Sequence, residues 1–156
     1  MKLTTTGITD TLKMLEAVEG NTDEIFTDAL EAGINVVTDE MRAQIQALST
    51  SKENDNEKHY PKERDKKALL DSLGYTPVGF QGSKYNMKSG FDGYDKHKTK
   101  RYPLGHPNKV IAKSIERGTS FMTAQPFMSR ASKKAKAKAL EAMDETIQKE
   151  LKKITK

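Results

Sequence analysis

The 156-residue chain has no cysteine and no tryptophan. The first absence excludes a disulfide framework, thiolate zinc sites, iron–sulfur clusters and a cysteine nucleophile. Folding therefore needs no oxidising compartment. No apolar run exceeds four residues, so no segment reads as a membrane span. The opening Met1-Lys2-Leu3-Thr4-Thr5-Thr6 lacks the apolar stretch of a secretory leader, and the expectation is a protein that folds in a reducing cytoplasm. Apolar side chains are also scarce. Leu, Ile, Val and Phe number 29 of 156, just under the ~20% that hints at disorder. That hint also needs high net charge, and +5 is moderate. The length fits a single domain over residues 1–156. A small core stretched over such a chain predicts exposed arms, or faces buried only against other subunits.

The charge that is present is unevenly placed. Residues 1–48 carry three basic and nine acidic side chains, a balance of −6. Residues 49–128 carry fifteen and nine, and residues 129–156 carry nine and four. An acidic front and a basic back can pair within one chain, or the front of one copy can meet the back of the next. Asp39, Glu40, Arg130 and Lys134 are the candidate subunit-interface residues. If they serve that purpose, reversing charge at Asp39 and Glu40 weakens assembly more than it weakens the folded monomer.

Periodicity predicts a short helix over residues 11–18, capped by Thr9 or Asp10 and broken at Gly20-Asn21. Thr22 is the expected cap of a second helix running to about Leu48, with Asp23 and Glu24 at the positive end of its dipole. One stripe is Phe26, Leu30, Gly33, Val37, Met41, Ile45 and Leu48; a second, Ile25, Ala29, Ala32 and Val36, widens the apolar face. Residues 49–67 are polar and without period, which reads as a mobile loop or arm. One or two helical turns over residues 66–73 follow, then strands near 75–80 and 83–89, with Gly82-Ser83 and Gly90 as hairpin or bulge points. Asn108 is the expected cap of a short helix over 109–117 that stops at Gly118. Pro126 suits the first position of a last helix over residues 126–154, with the stripe Phe127, Ala131, Ala135, Ala139, Met143, Ile147, Leu151 and Ile154. The fold class is α+β: two long helices on a small antiparallel sheet, with a long polar loop.

Chemical motifs are few. His59, His97 and His106 all fall in loops, without the spacing of a metal site. The stretch from Gly79 to Lys84 lacks the spacing of a phosphate loop, and no helix follows it. There is no G-x-S-x-G elbow. Asp92 and Asp95, flanked by glycines, read as turn residues. No catalytic residue, metal or cofactor is expected. Lysines cluster at Lys133, Lys134, Lys136 and Lys138, and again at Lys96, Lys98, Lys100 and Arg101. The second group is the candidate for electrostatic contact with DNA, without the stacking aromatics of a sequence-reading module.

The second half is more distinctive as a whole. The run from Lys84 to Tyr94 (Lys-Tyr-Asn-Met-Lys-Ser-Gly-Phe-Asp-Gly-Tyr) precedes Lys100-Arg101-Tyr102-Pro103. Then come Glu116, Gly118-Thr119-Ser120 and Ala124-Gln125-Pro126-Phe127-Met128, ahead of an Ala/Lys-rich helix. This resembles the gene-product-ten-like neck and tail-completion proteins of long-tailed bacteriophages. The resemblance spans about residues 10–150, and Glu116, Gly118, Thr119, Ser120, Pro126 and Phe127 carry its most specific motif. It departs at 49–67, where family members have an Ala-Pro-Val-x-Thr-Gly-type stretch and only Tyr60-Pro61 echoes it, so that segment's contacts do not carry over. The resemblance implies a structural virion protein. Such a protein forms a ring, a hexamer, at the head–tail junction, contacts head-closure or connector proteins and the major tail tube protein, and leaves a channel for genomic DNA. The other class that the composition allows is a basic, non-enzymatic DNA-binding or packaging accessory protein.

Overall fold

The computed structural model describes residues 16, 18–52, 59–81 and 84–154. The architecture is α+β. In chain order the elements are α1 (Thr22–Gln46), α2 (Glu63–Ser72), β1 (Leu73–Tyr75), β2 (Gly79–Gln81), β3 (Lys84–Asn86), β4 (Ser89–Phe91), α3 (Asn108–Arg117) and α4 (Phe127–Ile154). The short helix expected over 11–18 and the turn at Gly82-Ser83 lie outside the described residues, save that Glu16 and Val18 are helical.

The long helices α1 and α4 lie antiparallel, because Glu40 meets Lys134 while Gly33 meets Met143. The two stripes read on α1 merge into one buried face and do not serve separate neighbours. Ile25, Ala29 and Gly33 are buried in the seam with α4. The Phe26 and Thr38 side faces the β-ribbon, where the Phe26 ring stacks on Tyr85 with centroids 5.4 Å apart and the Thr38 hydroxyl donates to Ser89 at 3.1 Å. Small residues make the seam close: Ala131, Ala135 and Ala139 of α4 are buried at four-residue spacing. A Cβ on Gly33 would lie 2.7 Å from Met143 Cγ. The α4 stripe follows the sequence reading, and the helix begins one residue later than expected. Pro126 precedes it, and its carbonyl accepts the first intrahelical bond, from Arg130 N–H at 3.1 Å.

The β region is one interrupted antiparallel ribbon. Leu73, Gly74 and Tyr75 pair with Phe91, Gly90 and Ser89; Gly79, Phe80 and Gln81 pair with Asn86, Tyr85 and Lys84. Thr76 N–H donates to the Lys88 carbonyl at 2.8 Å between the two ladders. From there to the Gly79–Asn86 pair the outgoing strand spends two residues, Pro77 and Val78, against Met87 alone. Pro77 has no N–H to give, and the ladder breaks there. Gly90, expected as a hairpin or bulge point, is instead an ordinary paired strand residue opposite Gly74.

Three further expectations are corrected. Thr22 does not cap α1; its hydroxyl donates back to the Val18 carbonyl at 2.8 Å, four residues earlier. Asn108 does not cap α3, which starts at that residue; its amide instead donates to the Asp92 carbonyl at 2.8 Å. Residues 49–67 are not one free loop, since α2 begins at Glu63. Ser51 N–H donates to the Pro61 carbonyl at 2.9 Å, the Lys62 ammonium reaches the Lys52 carbonyl at 2.8 Å, and Thr50 bonds Glu63.

The core sits at the end where α1 finishes and α4 begins. Met41, Ile45, Leu48, Leu69, Leu73, Ala112, Ile115, Phe127 and Ala131 form one buried cluster. Away from it, the first half of α1 packs on the second half of α4 and on the ribbon. None of the helices among the described residues is long and apolar enough to cross a membrane.

Candidate functional site

Two constructions stand out, and the first is the joint between α3 and α4. Glu116 is the penultimate residue of α3, and its carboxylate reaches the start of α4. One oxygen accepts Met128 N–H at 2.8 Å; the other accepts Ser129 N–H at 3.1 Å and the Ser129 hydroxyl. An anion thus sits on the free amides at the positive end of the α4 dipole. Gly118 ends α3 at φ 74°, a conformation that side-chain-bearing residues rarely adopt. A Cβ there would also lie 2.8 Å from the Met122 carbonyl oxygen.

Thr119 and Met122 then exchange both backbone bonds, at 2.9 and 3.2 Å, and the Thr119 hydroxyl accepts Phe121 N–H at 3.2 Å. This closes a tight turn with Ser120 exposed and Phe121 at its tip, 65% exposed. Gln125 locks the link to the exit of α1: its side-chain amide makes two 2.9 Å bonds to the Ser49 backbone, one in each direction. Phe127 is fully buried and meets Phe91 of β4 edge-on at 6.0 Å. Of the six motif residues, Glu116, Gly118, Thr119 and Phe127 have identifiable structural duties. Pro126 supplies the first acceptor of α4.

The second construction is the basic loop between β4 and α3. Its neck is closed by pairing of Tyr94 with Pro107 and by Asn108 N–H bonding the Gly93 carbonyl at 3.0 Å. Asp95 gathers the ends. Its carboxylate accepts His106 N–H at 2.6 Å and His97 N–H at 3.2 Å, while its own N–H donates to the His106 carbonyl at 2.9 Å. Gly105 passes so near that a Cβ would sit 2.0 Å from the Asp95 carbonyl oxygen. Further out, Thr99 and Tyr102 exchange backbone bonds at 3.0 Å, and the Tyr102 ring packs on His106 at 4.2 Å. The Arg101 guanidinium lies 5.7 Å from the Tyr102 ring centre. Lys96, Lys98, Lys100 and Arg101 are all exposed on this preformed loop, with Leu104 beside them at 69% exposure. Between the loop base and α2 runs an open groove of about 570 Å³, lined by Arg64, Lys67, Asp71, Asp92 and Lys96 among others.

Asp92 and Asp95 are turn builders, as their glycine neighbours suggest: Asp92 accepts Gly93 N–H at 2.7 Å. Among the described residues no three His, Asp or Glu side chains cluster as a metal would need.

The candidate interface residues divide. Glu40 and Lys134 meet within the chain at 3.6 Å, and Glu40 also accepts the Gln44 side-chain amide at 2.8 Å. In the antiparallel seam Glu40 and Lys134 pair with each other, the within-chain outcome that the charge distribution also allowed. Asp39 and Arg130 are exposed. Sequence reading did not find the row of three rings on the ribbon side of α1, Phe26–Tyr85–Phe80, with centroids 5.4 and 5.0 Å apart. The Tyr85 hydroxyl donates to the Asp23 carboxylate. The alternation of Tyr85 with polar neighbours was its only signal.

No family model, curated protein or solved structure matches this chain.

Proposed function

We propose that this chain is a structural, non-enzymatic virion protein of a long-tailed bacteriophage. It assembles in the host bacterial cytoplasm into a hexameric ring at the head–tail junction, completes the tail or neck, and leaves a channel for DNA. Its partners are copies of itself, head-closure or connector proteins, the major tail tube protein, and genomic DNA passing through without sequence recognition. The observation that carries this reading is the joint. The Glu116–Phe127 segment, where the resemblance is most specific, has a physical reason for its residues: a carboxylate cap, a left-handed glycine, a hydroxyl-closed turn and a buried ring. A motif built this way serves to hold α4 at a set angle, which is a scaffold's requirement. The small core at one end, continued by a helix pair and a ribbon, suits a subunit completed by its neighbours.

A second reading is favoured by the basic loop: a DNA-binding or packaging accessory protein acting through Lys96, Lys98, Lys100 and Arg101, with affinity that falls steeply as salt rises. Light scattering over a range of concentrations, with and without purified tails, separates the two. A discrete oligomer that joins tails supports the ring. A monomer that never joins tails, yet retards DNA at moderate salt, overturns it in favour of the second reading.

A further inference from the structure

We propose that the basic loop of one copy docks on the acidic, aromatic end of a second copy of this chain, giving a head-to-tail contact. The inference rests on the ring reading and names the surfaces that make it. Residues 16–31 hold six acidic side chains and no basic one; residues 96–113 hold six basic side chains and no acidic one.

These segments lie at opposite ends of the molecule. The ring row and Asp23 mark one end, where Phe26 and Tyr85 meet. The loop leaves β4 at the other, just after Phe91 packs on Phe127. Along α1 the two are separated by roughly 25 Å, at 1.5 Å per residue. A chain therefore does not bring its own loop to its own acidic end, and a heterologous contact between copies satisfies both. Such a contact closes into a ring when its rotation allows.

The surfaces match in more than charge. Glu24, Asp28 and Glu31 share one outward face of α1 by their four- and three-residue spacing. At the same end of the molecule Phe80 closes the ring row at 65% exposure, while Phe26, two residues from both Glu24 and Asp28, lies on the other side of α1. The loop offers cations together with Leu104 and Tyr94, both well exposed. An apolar side chain among cations suits a surface of rings and carboxylates better than it suits a run of phosphates. The loop's closed neck and internal bonds leave little ordering to be done on docking. At the acidic end, Lys152 and Lys153 close α4; the Lys153 ammonium bonds Glu150 at 2.6 Å and also feels the charges of Asp28 and Glu24, which offsets part of the negative charge there.

The test is a charge swap on the full-length chain. One variant carries Lys98→Glu, Lys100→Glu and Arg101→Glu; another carries Glu24→Lys, Asp28→Lys and Glu31→Lys; a third carries all six. Assembly is read by light scattering, DNA binding by gel retardation, and folding by thermal melting. Each triple reversal is expected to raise the concentration needed for assembly by about tenfold or more, and the six-fold variant to recover it. Phe80→Ser is expected to weaken assembly about tenfold or more, while the lost packing on Tyr85 lowers the melting temperature by only a few degrees. If the native chain assembles and either reversal leaves assembly intact, or the six-fold variant shows no recovery, the contact is wrong while the ring stands. Loss of DNA retardation with assembly unchanged in the loop variant assigns the loop to DNA and overturns the proposal. A native chain that stays monomeric at every concentration, tails included, overturns the ring as well.

Discussion

Glu116 exchanges a side chain on one helix for the missing acceptors of another. Its carboxylate neutralises two orphan amides and a hydroxyl at the start of α4. Capping of this kind contributes about 0.5–2 kcal/mol. Glu116→Ala is expected to lower unfolding stability by about 1–2 kcal/mol, and Glu116→Gln, which keeps an acceptor but loses the charge, by less. Urea denaturation of the two variants checks the order. Gly118→Ala is expected to be at least as harmful, about 1–2 kcal/mol, because φ is 74° and the Met122 oxygen fills the space. Tyr85 is a different case. Its bond to Asp23, foremost, then desolvation and the carboxylate's charge, raise its pKa above 10.0. A group whose folded pKa is raised gives stability that is complete below the unfolded value and is lost as pH climbs through the folded one. The ribbon's hold on α1 is therefore expected to be constant near neutrality and to weaken above about pH 10. Melting temperatures of native protein and Tyr85→Phe should converge in that alkaline range, and a constant gap between them contradicts the assignment.

At the scale of elements, the α1–α4 seam is set by how near two backbones can come. Gly33 lies against Met143 and 3.5 Å, by its would-be Cβ, from the Ala139 carbonyl. Alanine there gains about 0.5–1 kcal/mol of helix propensity while displacing a flexible methionine, so Gly33→Ala is expected to be nearly neutral. Gly33→Leu has no such latitude and is expected to cost about 1–3 kcal/mol by overpacking, seen in denaturant unfolding. The periodic parts of this architecture were legible in the sequence. The buried α4 residues Phe127, Ala131, Ala135 and Ala139 all fall on the stripe read in the sequence, and the buried apolar residues of α1 come from both of its stripes, merged into one face. The punctuation was not legible. Thr22 and Asn108 have the chemistry of caps, yet their side chains found nearer or better acceptors in Val18 and Asp92. The polar segment 49–67 looked structureless because α2 has a short apolar stripe; Leu69 is fully buried, and the helix forms on the core that receives it.

For the molecule as a whole, charge separation along the chain is resolved partly inside and partly outside. Glu40 and Lys134 show the inside part. Their 3.6 Å contact is open to solvent on the Lys134 side, so a double-mutant cycle with Glu40→Ala and Lys134→Ala is expected to give a coupling of about 0.2–1 kcal/mol. A coupling near zero would place these charges in no specific pair. The acidic first half of α1 and the loop cations show the outside part, which gives the charge-swap experiment its reason.

Composition and periodicity alone determined that this chain would be α+β, thin in apolar material and organised around two long amphipathic helices. Those features depend on which side chains recur every three to four residues, and a linear text records that. Tertiary structure alone decided that Glu116 caps a helix it does not belong to, that Asp95 closes the basic loop, that Glu40 is taken by its own chain, and that three rings line up beside Asp23. Each of these is a meeting of residues distant in sequence, and such meetings depend on the path of the backbone rather than on local spacing.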